Sequence, residues 1–228
     1  MGGLSRMGGI HKRVTYLEKR DDLSREQFGV YWATEHARIA KDLPGVVRYL
    51  QNHVNHLEPC PAGDDPYRVD GIVELWFGDE NATSAGYASD VADRLVVDEK
   101  KFLGGLTGGP VDAAAHHDAW PHKVWLLGRW AADGEAGRAA VEAWINALAP
   151  ELPEPLGLDT NVLQPDARLL LRAGLRREEE IPEMAVALGY SDSIAARSAL
   201  GTLWENLAGL EGILRRVHLY QATELQVV

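Results

Sequence analysis

Cysteine is almost missing from this chain of 228 residues: Cys60 is the single one, so no intrachain disulfide can form and nothing points to an oxidising compartment. It stands between Pro59 and Pro61, with no neighbouring base to activate a thiol. Clustered basic residues are missing too. The longest runs are Arg176-Arg177 and Arg215-Arg216, and the net charge is −11. A surface that neutralises phosphates needs the opposite balance, so nucleic-acid binding is excluded. No apolar run is long enough for a signal peptide core or a bilayer span, which makes the cytoplasm the expected location and leaves out a membrane partner. Met1 to Gly9 is glycine-rich and expected to be disordered.

Metal and phosphate motifs are equally scarce. There is no CxxC, no HExxH and no helical i, i+4 histidine pair. His53 and His56 fall three apart on a strand-like segment, and His116 and His117 are adjacent, so each pair diverges. Gly104, Gly105, Gly108 and Gly109 lack the Lys-Ser/Thr of a phosphate loop and read as a flexible linker or lid. No nucleophile elbow or dinucleotide fingerprint occurs. The expectation is a protein with no metal and no cofactor.

What the chain does have is a repeat. Val73, Leu75, Phe77 and Asp79 recur at one constant offset as Val186, Leu188, Tyr190 and Asp192, and Leu50-Gln51 recurs as Leu163-Gln164. A fixed long offset is the mark of internal duplication. Under it His53 falls on Asp166, Glu74 on Ala187 and Trp76 on Gly189; under the slightly smaller offset that relates Asp42-Leu43-Pro44 to Glu151-Leu152-Pro153, His36 falls near Ile145. The reactive side chains are therefore confined to the first copy.

Element signals agree with two copies. Residues 12–19 read as a strand, and Ser24 with Gln27 forms a capping box that opens a helix. Phe28, Trp32, His36 and Ile39 share one face of it, and Pro44-Gly45 ends it. Strands are expected over 46–54, 69–77 and 111–118, with a helix over 79–95 before the last. The second half repeats the order: strand 123–130, helix 135–148, strands 156–164 and 181–190, helix 193–207, strand 213–227. Each half is βαββαβ, the order of a ferredoxin-like α+β unit with one sheet face covered by helices and one bare. The division falls at residues 10–119 and 120–228. Two bare faces laid together give a common core, so a monomer with an internal pseudo-dimer, or a homodimer, is expected.

Two histidines lead the candidates for chemistry. His36 lies on the core-facing stripe of the first helix, and His53 lies on the strand that follows. Converging in one cavity between helix and sheet, they would form an acid–base pair near neutral pH. Each also has the plainer reading of a buried imidazole bonded to the backbone. Alternation places Tyr49 and Gln51 on the face of His53, and puts Glu74, Trp76 and Asp70 on one face of the next strand. Glu74 is either an acid–base group or the partner of Arg13 or Arg48, the structural pair being preferred. Tyr16 can also point into the cavity, and Trp32 with Trp76 can line it for a flat ligand.

The chain resembles the EthD family of dimeric α+β-barrel proteins. The resemblance rests on Phe28-x-x-Tyr31-Trp32-x-x-x-His36, on Pro44-Gly45-Val46-Val47-Arg48-Tyr49-x-Gln51-Asn52-His53, on Asp70-Gly71-Ile72-Val73-Glu74-Leu75-Trp76-Phe77 and on Asp98-Glu99-x-x-Phe102. It spans about residues 11 to 118, the second half matching in element order alone. It implies two ferredoxin-like modules closing into an intramolecular α+β barrel, and proximity to cofactor-free isomerases, cyclases, dehydratases and monooxygenases. By matching positions it adds Tyr49 and Asp98 to His36 and His53 as catalytic candidates. The expectation is a cofactor-independent lyase or isomerase acting on a small aromatic, lactone or polyketide-like carbonyl compound. A non-catalytic ligand-binding protein and a cofactor-free monooxygenase are the alternatives, with a haem-binding relative beside the latter.

Overall fold

Alternation of buried side chains on two faces organises the chain. The computed structural model describes residues 11–58, 65–112, 118–131, 135–165 and 167–228. The expected N-terminal disorder, Cys60, Asp166, His116 and His117 lie outside the described residues. Strand β1 (His11–Lys19) leads to α1 (Arg25–Tyr31), a π-helical turn (Trp32–His36) and α2 (Ala37–Ala40). Then come β2 (Val46–Glu58), β3 (Gly71–Phe77), α3 (Glu80–Tyr87), α4 (Asp90–Glu99) and β4 (Leu103–Asp112). The second half holds β5 (His122–Trp130), α5 (Glu135–Leu148), β6 (Gly157–Leu163), β7 (Met184–Tyr190), α6 (Ser193–Glu205) and β8 (Leu214–Gln226).

Capping explains where the helices begin. Ser24 Oγ accepts from the Gln27 backbone N–H at 3.1 Å, and Gln27 Oε1 accepts from the Ser24 N–H at 2.8 Å. The recurring aspartates do the same work in both halves. Asp79 caps α3 by accepting from Ala82 N–H, and Asp192 caps α6 by accepting from Ile194 and Ala195 N–H. The single helix expected over 79–95 is two, because Ser89 opens a second one by capping Ala92.

All eight strands pair antiparallel in one closed barrel, in the order β1-β3-β2-β8-β5-β7-β6-β4. The first half contributes the consecutive strands β4-β1-β3-β2 and the second β8-β5-β7-β6. The two seams differ. β2 and β8 pair from Leu50 to Glu58, whereas β4 and β6 share only Val111↔Leu163 and Asp112↔Val162. The rest of β4 is joined by the connection after β6: Leu170 N–H donates to Gly108 O at 2.6 Å, and Arg176 N–H to Gly104 O at 2.9 Å.

The glycine cluster expected as a linker or lid is therefore most of β4. Its neighbours leave no room for side chains. A Cβ on Gly108 would lie 2.3 Å from Thr15 Oγ1, and one on Gly105 would lie 2.5 Å from Glu18 Oε2.

Residues facing the helices and residues facing the barrel axis form separate cores. Phe28, Trp32, Tyr49, Val73, Leu95 and Phe102 pack between the first sheet and its helices. Val14, Tyr16, Ile72, Trp125, Ala187 and Tyr220 fill the axis. Among the described residues no helix is long and apolar enough to cross a membrane.

Candidate functional site

The helix-side core of the first half encloses a cavity of about 50 Å³, lined chiefly by apolar side chains. Its polar lining comes from β1, the π-helical turn, β2, α3, α4 and the segment after β6: Thr15, His36, Tyr49, Tyr87, Glu99 and Arg172. The π-helical turn matters locally. Such turns interrupt α-helices at functional positions, and this one buries both Trp32 and His36.

His36 is held from one side. Its Nδ1 lies 3.1 Å from Asp98 Oδ2, while Asp98 Oδ1 accepts from Tyr31 Oη at 2.6 Å and Lys101 Nζ at 3.1 Å. Burial by itself would raise the Asp98 carboxyl, but hydrogen bonds from His36, Tyr31 and Lys101 outweigh it and hold the group well below the usual carboxylate range. An ionised carboxylate only accepts, so Nδ1 carries the proton and Nε2 has the lone pair. Nε2 has no hydrogen-bond partner among the described residues, and the ring borders the cavity.

Tyr49 is arranged in the complementary sense. Its oxygen accepts from Trp32 Nε1 at 3.1 Å and from Gln51 Nε2 at 3.0 Å. Both contacts use the lone pairs, so its own O–H proton is free for a ligand. Burial pushes its pKa well above the ordinary phenol value.

His53 takes a different place from the one expected. Its Nε2 meets Gln51 Oε1 at 3.0 Å and its ring packs on Trp32, with centroids 4.4 Å apart. It is not part of the cavity lining, and no hydrogen bond or ring contact joins it to His36 among the described residues. Burial lowers its pKa to about 4, so it is neutral at physiological pH. The two imidazoles belong to one side of the sheet without converging. One row of hydrogen bonds links His53, Gln51, Tyr49 and Trp32.

Glu74, Trp76 and Tyr16 face the barrel axis, away from His36, since β1 and β3 turn their helix-facing positions (Thr15, Leu17, Val73, Leu75) into the cavity. Glu74 pairs neither with Arg13 nor with Arg48 in an ion pair. Its partners are Lys12, with Nζ–Oε1 at 2.8 Å, and Lys123, and it also accepts from Asn52 Nδ2 at 2.9 Å. Lys12 continues to Asp159 at 2.5 Å and Lys123 to Glu224 at 2.7 Å. Burial opposes the Lys12 charge, but Glu74 and Asp159 more than offset it and raise its pKa. Barrel closure brings these partners from β5, β6 and β8, which no pattern within β3 could reveal. Sequence reasoning also missed Thr15, Tyr87 and Arg172. For Thr15 the signal was available, because strand alternation places it on the same side as Leu17.

An eight-stranded antiparallel α+β barrel is thus the class of molecule. Within it, residues 20–105 match the family model of the EthD domain. No curated protein matches the chain. Solved structures share its fold over nearly the whole length. One is a "putative monooxygenase" from Fusobacterium nucleatum, 10% identical, with TM-score 0.58 over 96% of this chain and 93% of that one. Another is an anthrone oxidase-like protein, 9% identical, with TM-score 0.55 over 96% and 93%. A third is a "putative chlorite dismutase", 11% identical, with TM-score 0.52 over 95% and 96%. At such identities the likeness is one of fold. It nevertheless overturns the expected lyase or isomerase: proteins of this architecture carry oxidative names, and the histidine pair on which elimination chemistry rested does not converge.

A haem does not fit the residues present. The helix-side layer of the second half is packed with Val124, Leu126, Val186, Leu188, Leu200 and Leu203, and among the described residues no histidine lines the cleft of about 880 Å³ beside it. In the first half the His36 ring borders the cavity, but a space of about 50 Å³ is far smaller than a porphyrin.

Proposed function

We propose that the first-half cavity oxygenates a small phenolic compound without a bound cofactor. The observation that carries this reading is the pairing of a fixed base with a free donor in one apolar space. His36 Nε2 offers a lone pair while Nδ1 is locked on Asp98, and the Tyr49 O–H lacks an acceptor. A phenol entering there, spreading the lining side chains to enlarge a space of about 50 Å³, gives its proton to His36, and Tyr49 donates to the resulting oxyanion. The phenolate is electron-rich and, shielded from water, is the reductant for dioxygen. One oxygen atom becomes the new carbonyl of a quinone and the other leaves as water with the two hydrogens lost by the substrate. The names carried by the solved relatives of this fold support oxidation over elimination.

The chain is read at the same time as two ferredoxin-like modules, residues 10–119 and 120–228, forming an internal pseudo-dimer. Barrel-axis residues support this beyond the sequence offset. Lys12 pairs with Trp76 across β1 and β3, and Lys123 pairs with Gly189 at the corresponding register of β5 and β7. Asn52 donates to Ile72 O, and Asn161 donates to Ala185 O, again at matching positions. Where the first half has Trp76, the second has Gly189 with Trp120 lying over it, 2.3 Å from where a Cβ would stand.

The test is oxygen uptake with 1-naphthol as probe. Equimolar loss of naphthol and oxygen with formation of naphthoquinone is expected, slowed about 10²–10³-fold in His36→Ala. Uptake by His36→Ala at the rate of the unaltered protein would overturn the reading.

A further inference from the structure

The cavity has a second polar end that the oxygenation step does not use, and it carries positive charge. Arg172 reaches it from the second half of the chain, on the segment whose Leu170 bonds to Gly108 of β4. Its fork grips Glu99, with Nε–Oε2 at 2.5 Å and Nη2–Oε1 at 3.2 Å. Arg13, two residues before Thr15 on the same face of β1, is 7% exposed and stands behind the lining residue Tyr87 rather than in the lining itself. It has no carboxylate within ion-pairing distance among the described residues. It donates one long bond, Nη2 to Arg168 O at 3.3 Å, and stacks over Tyr87 at 5.3 Å, while its Nε has no partner. Two further buried atoms at this end lack hydrogen bonds, Thr15 Oγ1 and the Tyr87 hydroxyl. Two guanidinium groups thus face one carboxylate. A buried cation without a counterion is costly, and buried polar atoms are nearly always satisfied.

Resting on the oxygenation reading for the opposite end, the geometry points to a substrate that is a small aromatic anion. Its phenol lies at His36 and Tyr49, and its carboxylate or comparable oxyanion is held by Arg13 and Arg172 with Thr15 and Tyr87. Glu99 is the internal anion that occupies the Arg172 fork until the ligand's own anion competes for it. Guanidinium groups match planar oxyanions through paired N–H donors, which neutral phenols cannot exploit. The specificity of a site in the first half is then set in part by a residue of the second.

Binding to the full chain, read by quenching of tryptophan fluorescence, tests this with 4-hydroxybenzoate and phenol as paired probes. The unaltered protein is expected to bind 4-hydroxybenzoate at least about tenfold more tightly than phenol. Arg13→Gln and Arg172→Lys should each shrink that preference, the lysine keeping the charge but losing the fork, with circular dichroism confirming the fold. Glu99→Gln should move the other way and tighten 4-hydroxybenzoate several-fold, because it frees Arg172. Equal binding of the two probes by the unaltered protein would overturn the proposal, and so would weaker 4-hydroxybenzoate binding in a folded Glu99→Gln. Oxygen uptake from 1-naphthol by the same preparation separates the two readings. Uptake without a carboxylate preference sinks the anion end alone, and a preference without uptake sinks the oxygenation alone.

Discussion

Asp98 sits at the centre of three donors, and its effect on chemistry runs through one of them. As an acceptor it fixes the protonated nitrogen of His36; as an amide it would offer a donor as well and lose that selection. Asp98→Asn is expected to cut kcat about 10²-fold with little change in KM for 1-naphthol, which steady-state kinetics will show. His53 gives a prediction of a different kind. Its folded-state pKa of about 4 is below the ordinary value of 6.5. Between those values the unfolded chain binds the proton and the folded one does not. This contribution to stability is therefore full above pH 6.5 and drains away as pH falls towards 4. Thermal melts should show a loss of about 1–2 kcal/mol from this ring over that window, after allowance for its partial exposure, and His53→Gln should flatten the slope. At this scale the sequence showed which side chains share a face. His36, Tyr49, Gln51 and His53 lie on the helix side, as alternation and helical spacing require. It did not show reach, since Arg172 acquires its role only when distant segments meet.

Two elements show where local signals succeed and fail. The capping box at Ser24 and the aspartates at 79 and 192 are chemistry between near neighbours, so helix starts were legible. The glycines of β4 were not, because their reason lies in what presses on them from β1 and from the segment after β6. Gly71 is the same case in β3: a Cβ there would stand 2.5 Å from the Trp32 ring, so glycine lets the indole lie on the sheet. Gly71→Ala is expected to cost about 1–3 kcal/mol in urea unfolding, since the fully buried indole has little space in which to shift. A neutral result would mean that the π-helical turn yields easily, and that Trp32 does not fix the Tyr49 row.

The whole molecule is joined along its axis by charge. Glu74 of the first half lies between Lys12 and Lys123, and each lysine goes on to a carboxylate of the second half, Asp159 or Glu224. Removing the central carboxylate leaves each lysine one partner, Asp159 or Glu224, but cuts the link between the two pairs and opens an almost fully buried space. Glu74→Ala is therefore expected to destabilise the protein by about 1–3 kcal/mol, measured by denaturant titration; no measurable loss would show that the network is not what ties the halves together. The order of strands and helices was readable from the chain alone, because the signals that open and close each element are local in sequence. The axis network was not, because five strands from two halves build it. The most direct measurement of the central claim uses isotopically labelled dioxygen with 1-naphthol. One labelled atom should appear in the naphthoquinone and the other in water, and neither product should form appreciably with His36→Ala. Quinone oxygen derived from solvent water, or labelling that persists undiminished in His36→Ala, would contradict the account.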